Sequence, residues 1–415
     1  MFNSQLDLFT HVASVYAEAP GGALDNNGLY SALMGRLGVP PEVANAKVPV
    51  GTSGQAHSLW KRRVRFTQQS LKHMGIIERR GRTRGVWTLT EAAGKRLNKA
   101  AREVKLVAFS TKLGLCMWGS NSDGLAGLDE PISLIVTSPP FPLQKPRAYG
   151  NPSQSEYVEW MVRSLEPVMS RLVPGACIAL QISNDVFEPG SPSRSLYRER
   201  LVIALHDKLG LFKLDEVIWR NPSKPPSPVQ WASIKRFQLN AGYEVVYVFT
   251  NDPSRCKADN RRVLEAHSRR HKALMAAGGE ARATCYGDGA YRLREGSYGV
   301  ETEGKIPRNV LDIGHRCADT LAARRHADAL GLPAHGAMMP TRLPDFLIRY
   351  LSEPGDLVLD LWSGSGKTGL AAERLGRRWL MFELIIEYAR TSAEMFRGFD
   401  GFCLNPLLAG VGKAA

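Results

Sequence analysis

Short apolar runs alternate along the chain with stretches whose apolar residues recur at helical spacing. The run Ile132-Ser133-Leu134-Ile135-Val136 is short and β-branched, as a buried strand is, and it stops at Thr137-Ser138-Pro139-Pro140-Phe141. The two prolines bring no N–H, and Pro140 keeps the residue before it out of the helical region, so the backbone leaves the sheet stiff and extended. Helical spacing then predicts a helix over 155–172, ended by Pro174-Gly175, and a strand over 176–182. A helix over 197–209 and strands over 214–219 and 243–249 follow. After a stretch of weak periodicity come a helix over 345–352, a strand over 356–361, the turn Trp362-Ser363-Gly364-Ser365-Gly366, a helix over 367–375 and a strand over 378–382 that ends at Glu383. Strands alternating with helices predict an α/β fold with a doubly wound, Rossmann-like sheet, in which 132–136 is read as the first strand. Ahead of it the pattern is different. A helix from Ser58 to Gly75, with Trp60, Val64, Leu71 and Met74 on its apolar face, precedes two short strands that flank the turn Gly81–Gly85. A helix followed by a basic hairpin predicts a winged helix-turn-helix over residues 1–104, which leaves 105–415 for the larger domain.

Charge sharpens this division. The chain has 415 residues, 54 Lys+Arg and 40 Asp+Glu, for a formal charge of +14. Nine of the basic residues and a single acid, Glu78, fall between Gln55 and Gly85, a concentration that reads as a contact surface for a polyanion, the other reading being a solvated face of a protein-binding module. Between residues 251 and 330 the balance is milder, 15 Lys/Arg to 11 acids, and the segment 251–333 is expected to be an insertion that recognises a partner. The six cysteines show no metal or disulfide spacing, so no metal is expected, and a reducing cytoplasm fits. No window reaches the length of a membrane span.

Two stretches carry candidate chemistry. In the pentapeptide, the Ser138 hydroxyl, a free carbonyl at Ser138 or Pro139 and the Phe141 ring set acceptors beside a stacking plate, which suits a planar group bearing an amino function; alone, it also reads as a proline turn. The second is a strand, glycine turn, helix, strand and acid in sequence, the logic of a nucleoside site in which Glu383 accepts ribose hydroxyls. A triphosphate loop needs a glycine five residues before Gly366, where Leu361 stands. A dinucleotide site stays open on this stretch, since Gly364, Gly366 and Gly369 keep its spacing.

Together these stretches resemble the S-adenosylmethionine-dependent DNA amino-methyltransferases. The order, acceptor loop first and cofactor loop last, is similar to their permuted β-group, and the serine that opens the acceptor loop resembles the N4-cytosine type more than the N6-adenine type. His335-Gly336-Ala337-Met338-Met339-Pro340-Thr341-Arg342-Leu343-Pro344 resembles the family segment beside the methionine moiety, and Ile218-Trp219-Arg220-Asn221-Pro222 one beside the target base. Lys367 departs from the usual threonine, and Leu361 and Trp362 from the usual proline and phenylalanine. Residues 58–91, ending Gly-Val-Trp-Thr-Leu-Thr-Glu, resemble the winged helix of Mrr-type restriction proteins. The resemblance implies a catalytic loop of Ser138, Pro139, Pro140 and Phe141. It implies S-adenosyl-L-methionine held by Thr137, His335, Pro340, Leu343, Pro344, Asp360, Trp362, Ser363, Gly364, Ser365, Gly366, Thr368 and Glu383. Contacts to double-stranded DNA are implied for Lys61, Arg62, Arg63, Arg65, Arg79, Arg80, Arg82, Arg84, Trp219 and Asn221. The expected activity is methylation of the N4 amino group of cytosine at a specific duplex sequence, with a cognate restriction endonuclease as partner and either a monomer or a homodimer as the working unit. An N6-adenine enzyme of the same fold and a non-catalytic DNA-binding regulator are the alternatives. A cytosine-C5 enzyme is disfavoured, because the chain has no Pro-Cys pair to supply its nucleophile.

Overall fold

The computed structural model describes the chain except residues 1–4, 20–22, 51–54, 74–76, 81–84, 90–96, 126–127, 144–149 and 413–415. The N-terminal part runs helix Gln5–Glu18, β1 Ala23–Leu24, helices Asn26–Leu37 and Pro41–Asn45, β2 Lys47–Val50, β3 Gln55–Ser58, helix Leu59–His73, β4 Ile77–Arg79 and β5 Trp87–Leu89. β5 lies between β1 and β4 in a small antiparallel sheet. Val12, Tyr16, Leu29, Leu33, Val64, Leu71 and Trp87 fill the core beneath it, where the Gln68 amide donates to the Tyr16 hydroxyl at 2.7 Å. The helix expected from Ser58 begins one residue later. Ser58 ends β3, and its hydroxyl accepts the Lys61 N–H at 3.1 Å, which caps the helix that follows. Met74 and the turn 81–84 lie outside the described residues.

The larger part is built on one ten-stranded sheet. Its strands are β6 Lys105–Ser110, β7 Gly114–Gly119, β8 Ile132–Thr137, β9 Leu172–Ile182, β10 Phe212–Arg220, β11 Tyr243–Thr250, β14 Val310–Asp312, β15 Leu357–Asp360, β16 Arg378–Glu383 and β17 Cys403–Leu404, in the order β14-β10-β11-β9-β8-β15-β16-β7-β6-β17. The middle five, β9 to β7, are parallel, and β11 runs against β9. Every residue of β8 and β15 is buried, as expected where helices cover both faces of a parallel sheet. Alternate residues feed two cores. Val358, Trp379 and Met381 pack on one face, and Leu357, Leu359, Leu380 and Phe382 on the other.

The structure corrects the expected element list in three places. β8 is the third strand of its domain, because β6 and β7 precede it as an antiparallel pair. Pro174-Gly175 does not end a helix; the helix Tyr157–Met169 stops earlier and the pair lies inside β9. Gly175 has φ +82°, and a Cβ there would stand 1.9 Å from the Arg255 carbonyl oxygen, so the close approach of that loop requires glycine. Finally, the segment read as an insertion returns to the sheet. It holds the hairpin β12 Thr284–Tyr286 and β13 Tyr291–Leu293, but β14 pairs in parallel with β10, and Thr320, Ala323 and Ala327 of helix Ala318–Ala329 are buried.

Candidate active site

β8 and β15 are sheet neighbours, with Leu134 opposite Val358 and Ile135 opposite Leu359, so the proline loop and the glycine turn leave the sheet side by side. The Thr137 hydroxyl donates to Asp360 Oδ1 at 2.7 Å, and the Trp362 N–H reaches the same oxygen at 3.2 Å. Burial pushes the Asp360 carboxyl up to about 6, with the bond from Thr137 opposing. Ser138 is half-buried, and its hydroxyl donates to Gln181 Oε1 at 2.6 Å. The proton is thereby committed and the lone pairs are left for an incoming N–H. Gln181 in turn donates through Nε2 to the Glu244 carboxylate. Lys224 pairs with Glu244 at 3.4 Å and with Asp185 at 2.9 Å. Burial pushes the Glu244 carboxyl up against the pull of Lys224. Pro139 is buried, Pro140 and Phe141 are half-buried, and the Asn151 amide donates to the Phe141 carbonyl at 2.6 Å. Among the described residues none donates to the Pro139 carbonyl.

In the neighbouring turn Gly364 and Gly366 have φ +53° and +71°, the left-handed region that glycine enters without strain. A Cβ at Gly364 would stand 3.1 Å from the His335 ring, and that ring meets Tyr388 edge-on at 4.7 Å. Glu383 ends β16 and accepts the N–H of Gly364 at 2.6 Å and that of Ile385 at 2.8 Å. Burial pushes its carboxyl up to about 8, with these amides opposing and Asp360 adding to the rise. Gly369 packs against β16, where a Cβ would meet Met381 Sδ at 2.5 Å. Met338, Ser365 and Thr391 join His335, Gly364 and Tyr388 around a small cavity. Lys367 opens the next helix and is almost fully buried, and among the described residues neither its Nζ nor Thr391 Oγ1 has a hydrogen-bond partner. Burial lowers the Lys367 ammonium to about 8, with Cys317 and Asp319 opposing. Buried polar groups left unsatisfied beside a tight glycine turn fit a polar ligand.

The other expected ligand contacts are placed less directly. Trp362 meets Trp160 at 5.3 Å between ring centroids. Ser363, Thr368 and Pro340 are buried at the turn and its flank. Leu343 and Pro344 sit in the first turn of helix Arg342–Leu351, where Leu343 is part of the hydrophobic core; they support the site by packing.

Of the expected DNA contacts, Arg62, Arg63 and Arg65 stand exposed on the helix Leu59–His73, and Lys61 lies 5.1 Å over the Tyr30 ring. Arg79 stacks over Trp87 at 5.5 Å beside exposed Arg80. Arg82 and Arg84 lie outside the described residues. Trp219 must be withdrawn, because it is 5% exposed and its indole N–H donates to the Ile313 carbonyl at 2.8 Å. Asn221 uses its side-chain oxygen to hold the turn, accepting from the Ser223 N–H at 3.1 Å and hydroxyl at 2.9 Å. Sequence reasoning missed Gln181, Glu244, Lys224 and Asp185. The signal available was a polar residue inside each of two apolar strand runs.

Residues 132–394 match the protein family described as DNA methylase, and residues 8–99 match the Mrr N-terminal domain. The chain is 34% identical over 293 residues to the type II methyltransferase M.PvuII of Proteus hauseri, covering 70% of this chain and 86% of that protein. It is 22% identical over 273 residues to the type II methyltransferase M.BglII of Bacillus subtilis, 65% of each. The solved structure of the cytosine-N4-specific PvuII DNA methyltransferase is similar with a TM-score of 0.56 and 31% identity, covering 74% of this chain and 96% of that one.

Proposed function

This chain belongs to the DNA methylase family, and from that premise we propose that it methylates the N4 amino group of cytosine in duplex DNA, as the modification enzyme of a restriction system. The observation that carries the reading is the Ser138 hydroxyl, fixed by Gln181 at the mouth of a loop that adjoins a nucleoside-type turn. S-adenosyl-L-methionine, when bound, supplies the methyl group. The residues suited to hold it are Glu383 for hydroxyls, the glycine turn at Gly364 and Gly366, and the ammonium of Lys367, without a hydrogen-bond partner among the described residues, for a carboxylate.

The cytosine amino nitrogen is conjugated with its ring and is a weak nucleophile. Ser138 Oγ and the Pro139 carbonyl accept its two N–H groups, which draws the lone pair out of conjugation and aims it at the methyl donor. Phe141 stacks on the ring. The target must leave the duplex to reach this loop, with stacking and backbone contacts offsetting the cost. The winged-helix part, through Lys61 to Arg65 and Arg79 to Arg84, binds phosphates and brings the sheet edge to the DNA. Digestion of DNA treated with labelled cofactor, followed by nucleoside mass analysis, should place the label in N4-methylcytosine. Label in N6-methyladenine, or none, would overturn the reading.

A further inference from the structure

The loop joining β10 to β11 carries an apolar and basic tip that the fold leaves bare. Val229, Ile234, Phe237 and Leu239 are exposed within eleven residues, Phe237 at 70% and Leu239 at 90%, with Lys235 and Arg236 exposed among them. Leaving such side chains in water forgoes the gain of burying them, and clustered exposure of this kind marks an interaction site.

The loop holds its shape without a partner. Asn221 N–H to the Gly242 carbonyl at 3.0 Å and Ala241 N–H to the Ser227 carbonyl at 2.7 Å close its base, and Phe237 N–H to the Trp231 carbonyl at 2.8 Å ties the tip. Ala232 and Ala241 are buried beneath it. Arg236 sits at φ +60°, a left-handed conformation that is strained for a non-glycine residue.

Position identifies the partner. β11 runs against β9 with Val245 opposite Ile182 and β8 runs parallel to β9, so the loop leaves the sheet at the same end of the strands as Ser138. Lys224 in its first leg pairs with Glu244, which takes the amide of Gln181, which takes the proton of Ser138. The base of the loop is tied through three side chains to the acceptor hydroxyl. A cytosine that reaches Ser138 leaves a gap in the base stack flanked by phosphates, and apolar side chains next to cations are the complement of that gap.

Resting on the methyl-transfer reading above, we propose that the 229–239 loop is the wedge that enters the duplex beside the extruded cytosine. Phe237 and Leu239 fill the vacated stack, and Lys235 and Arg236 hold the adjoining phosphates.

The test uses the full chain, tritiated S-adenosylmethionine and duplex genomic DNA from a host without N4-methylcytosine. In the double variant Phe237→Ala/Leu239→Ala, kcat/KM on duplex should fall at least tenfold, while calorimetric cofactor affinity and the thermal midpoint stay at wild-type values. The Phe237→Leu/Leu239→Met variant should keep most of the activity. Lys235→Gln/Arg236→Gln should lower the salt slope of DNA binding by about two. Wild-type turnover in the alanine variant overturns the wedge, and so does wild-type turnover combined with a shift in sedimentation, which assigns the tip to a protein contact. Turnover lost together with cofactor affinity overturns it as well. A wild-type protein that labels no cytosine overturns the reaction reading and the wedge with it, an outcome distinct from a wild type and a variant that label cytosine equally.

Discussion

Ser138 is useful because of what holds it. A free serine hydroxyl rotates and can present either its proton or its lone pairs. Gln181 Oε1 takes the proton at 2.6 Å, so only acceptors face the site, and Glu244 keeps the Gln181 amide from turning over. Ser138→Ala should lower kcat on the order of 10²–10³-fold, the usual cost of removing one aimed hydrogen-bond group. Gln181→Ala leaves the hydroxyl in place but unoriented, and its kcat should fall about tenfold with cofactor affinity unchanged; single-turnover rates read beside calorimetry check both. An unchanged rate in Gln181→Ala would remove that residue from the acceptor site. The sequence made Ser138 legible because two prolines mark the loop. Gln181 was hidden, since a lone polar residue in an apolar strand does not reveal what lies across from it.

At the scale of the element, the glycine turn and the strand that ends in Glu383 form one unit. The turn cannot close without Gly364, whose N–H is the partner of the Glu383 carboxyl. That carboxyl is pushed from its ordinary value of 4.5 up to about 8 by burial, so the folded chain holds a proton that the unfolded chain has released. Folding takes up that proton between about pH 4.5 and 8, and the stability this group contributes is lost as pH rises through that window. Asp360, raised to about 6, acts in the same direction over the lower part of it. Glu383→Gln should therefore flatten the fall of the thermal midpoint between pH 5 and 8, an effect on the order of a few kcal/mol across the window. Parallel midpoint curves for the two proteins would show that Glu383 does not titrate there. The turn was legible in the sequence because strand, glycines, helix and acid follow one another within a few turns of chain. Trp219 misled for the converse reason, because it ends a strand beside a recognisable segment while β14 and Ile313 cover it from ninety-odd residues away.

For the whole molecule, the junction between the N-terminal part and the sheet is tighter than the charge pattern implies. Asn98 donates to Glu387 from its N–H at 2.7 Å and its side-chain amide at 2.5 Å, Lys99 bridges to Ile385, and the Ala100 N–H donates to the Leu384 carbonyl at 2.8 Å. Burial pushes Glu387 up to about 7, with the Asn98 bonds opposing. Removing residues 1–104 would strip those donors, so that variant should be less stable than one lacking 1–96 by roughly 1–3 kcal/mol, the cost of an unsatisfied buried group. Both should bind DNA more weakly and with a shallower salt slope than the full chain. Urea unfolding and salt-titrated DNA binding of the two truncations give the answer, and equal stability would deny the junction any role.

The sequence by itself determined the alternation of strands and helices, the proline loop, the glycine turn with its acid, and the basic helix and hairpin, because each is written in the periodicity and turn chemistry of a continuous stretch. Tertiary structure alone decided that Thr137 meets Asp360 across 223 positions, that Gln181 and Glu244 stand behind Ser138, that the supposed insertion returns a strand to the sheet, and that the tip at Phe237 and Leu239 stays uncovered. Strand pairing and burial depend on which distant segment supplies the other half of the contact, and local periodicity carries no record of that segment.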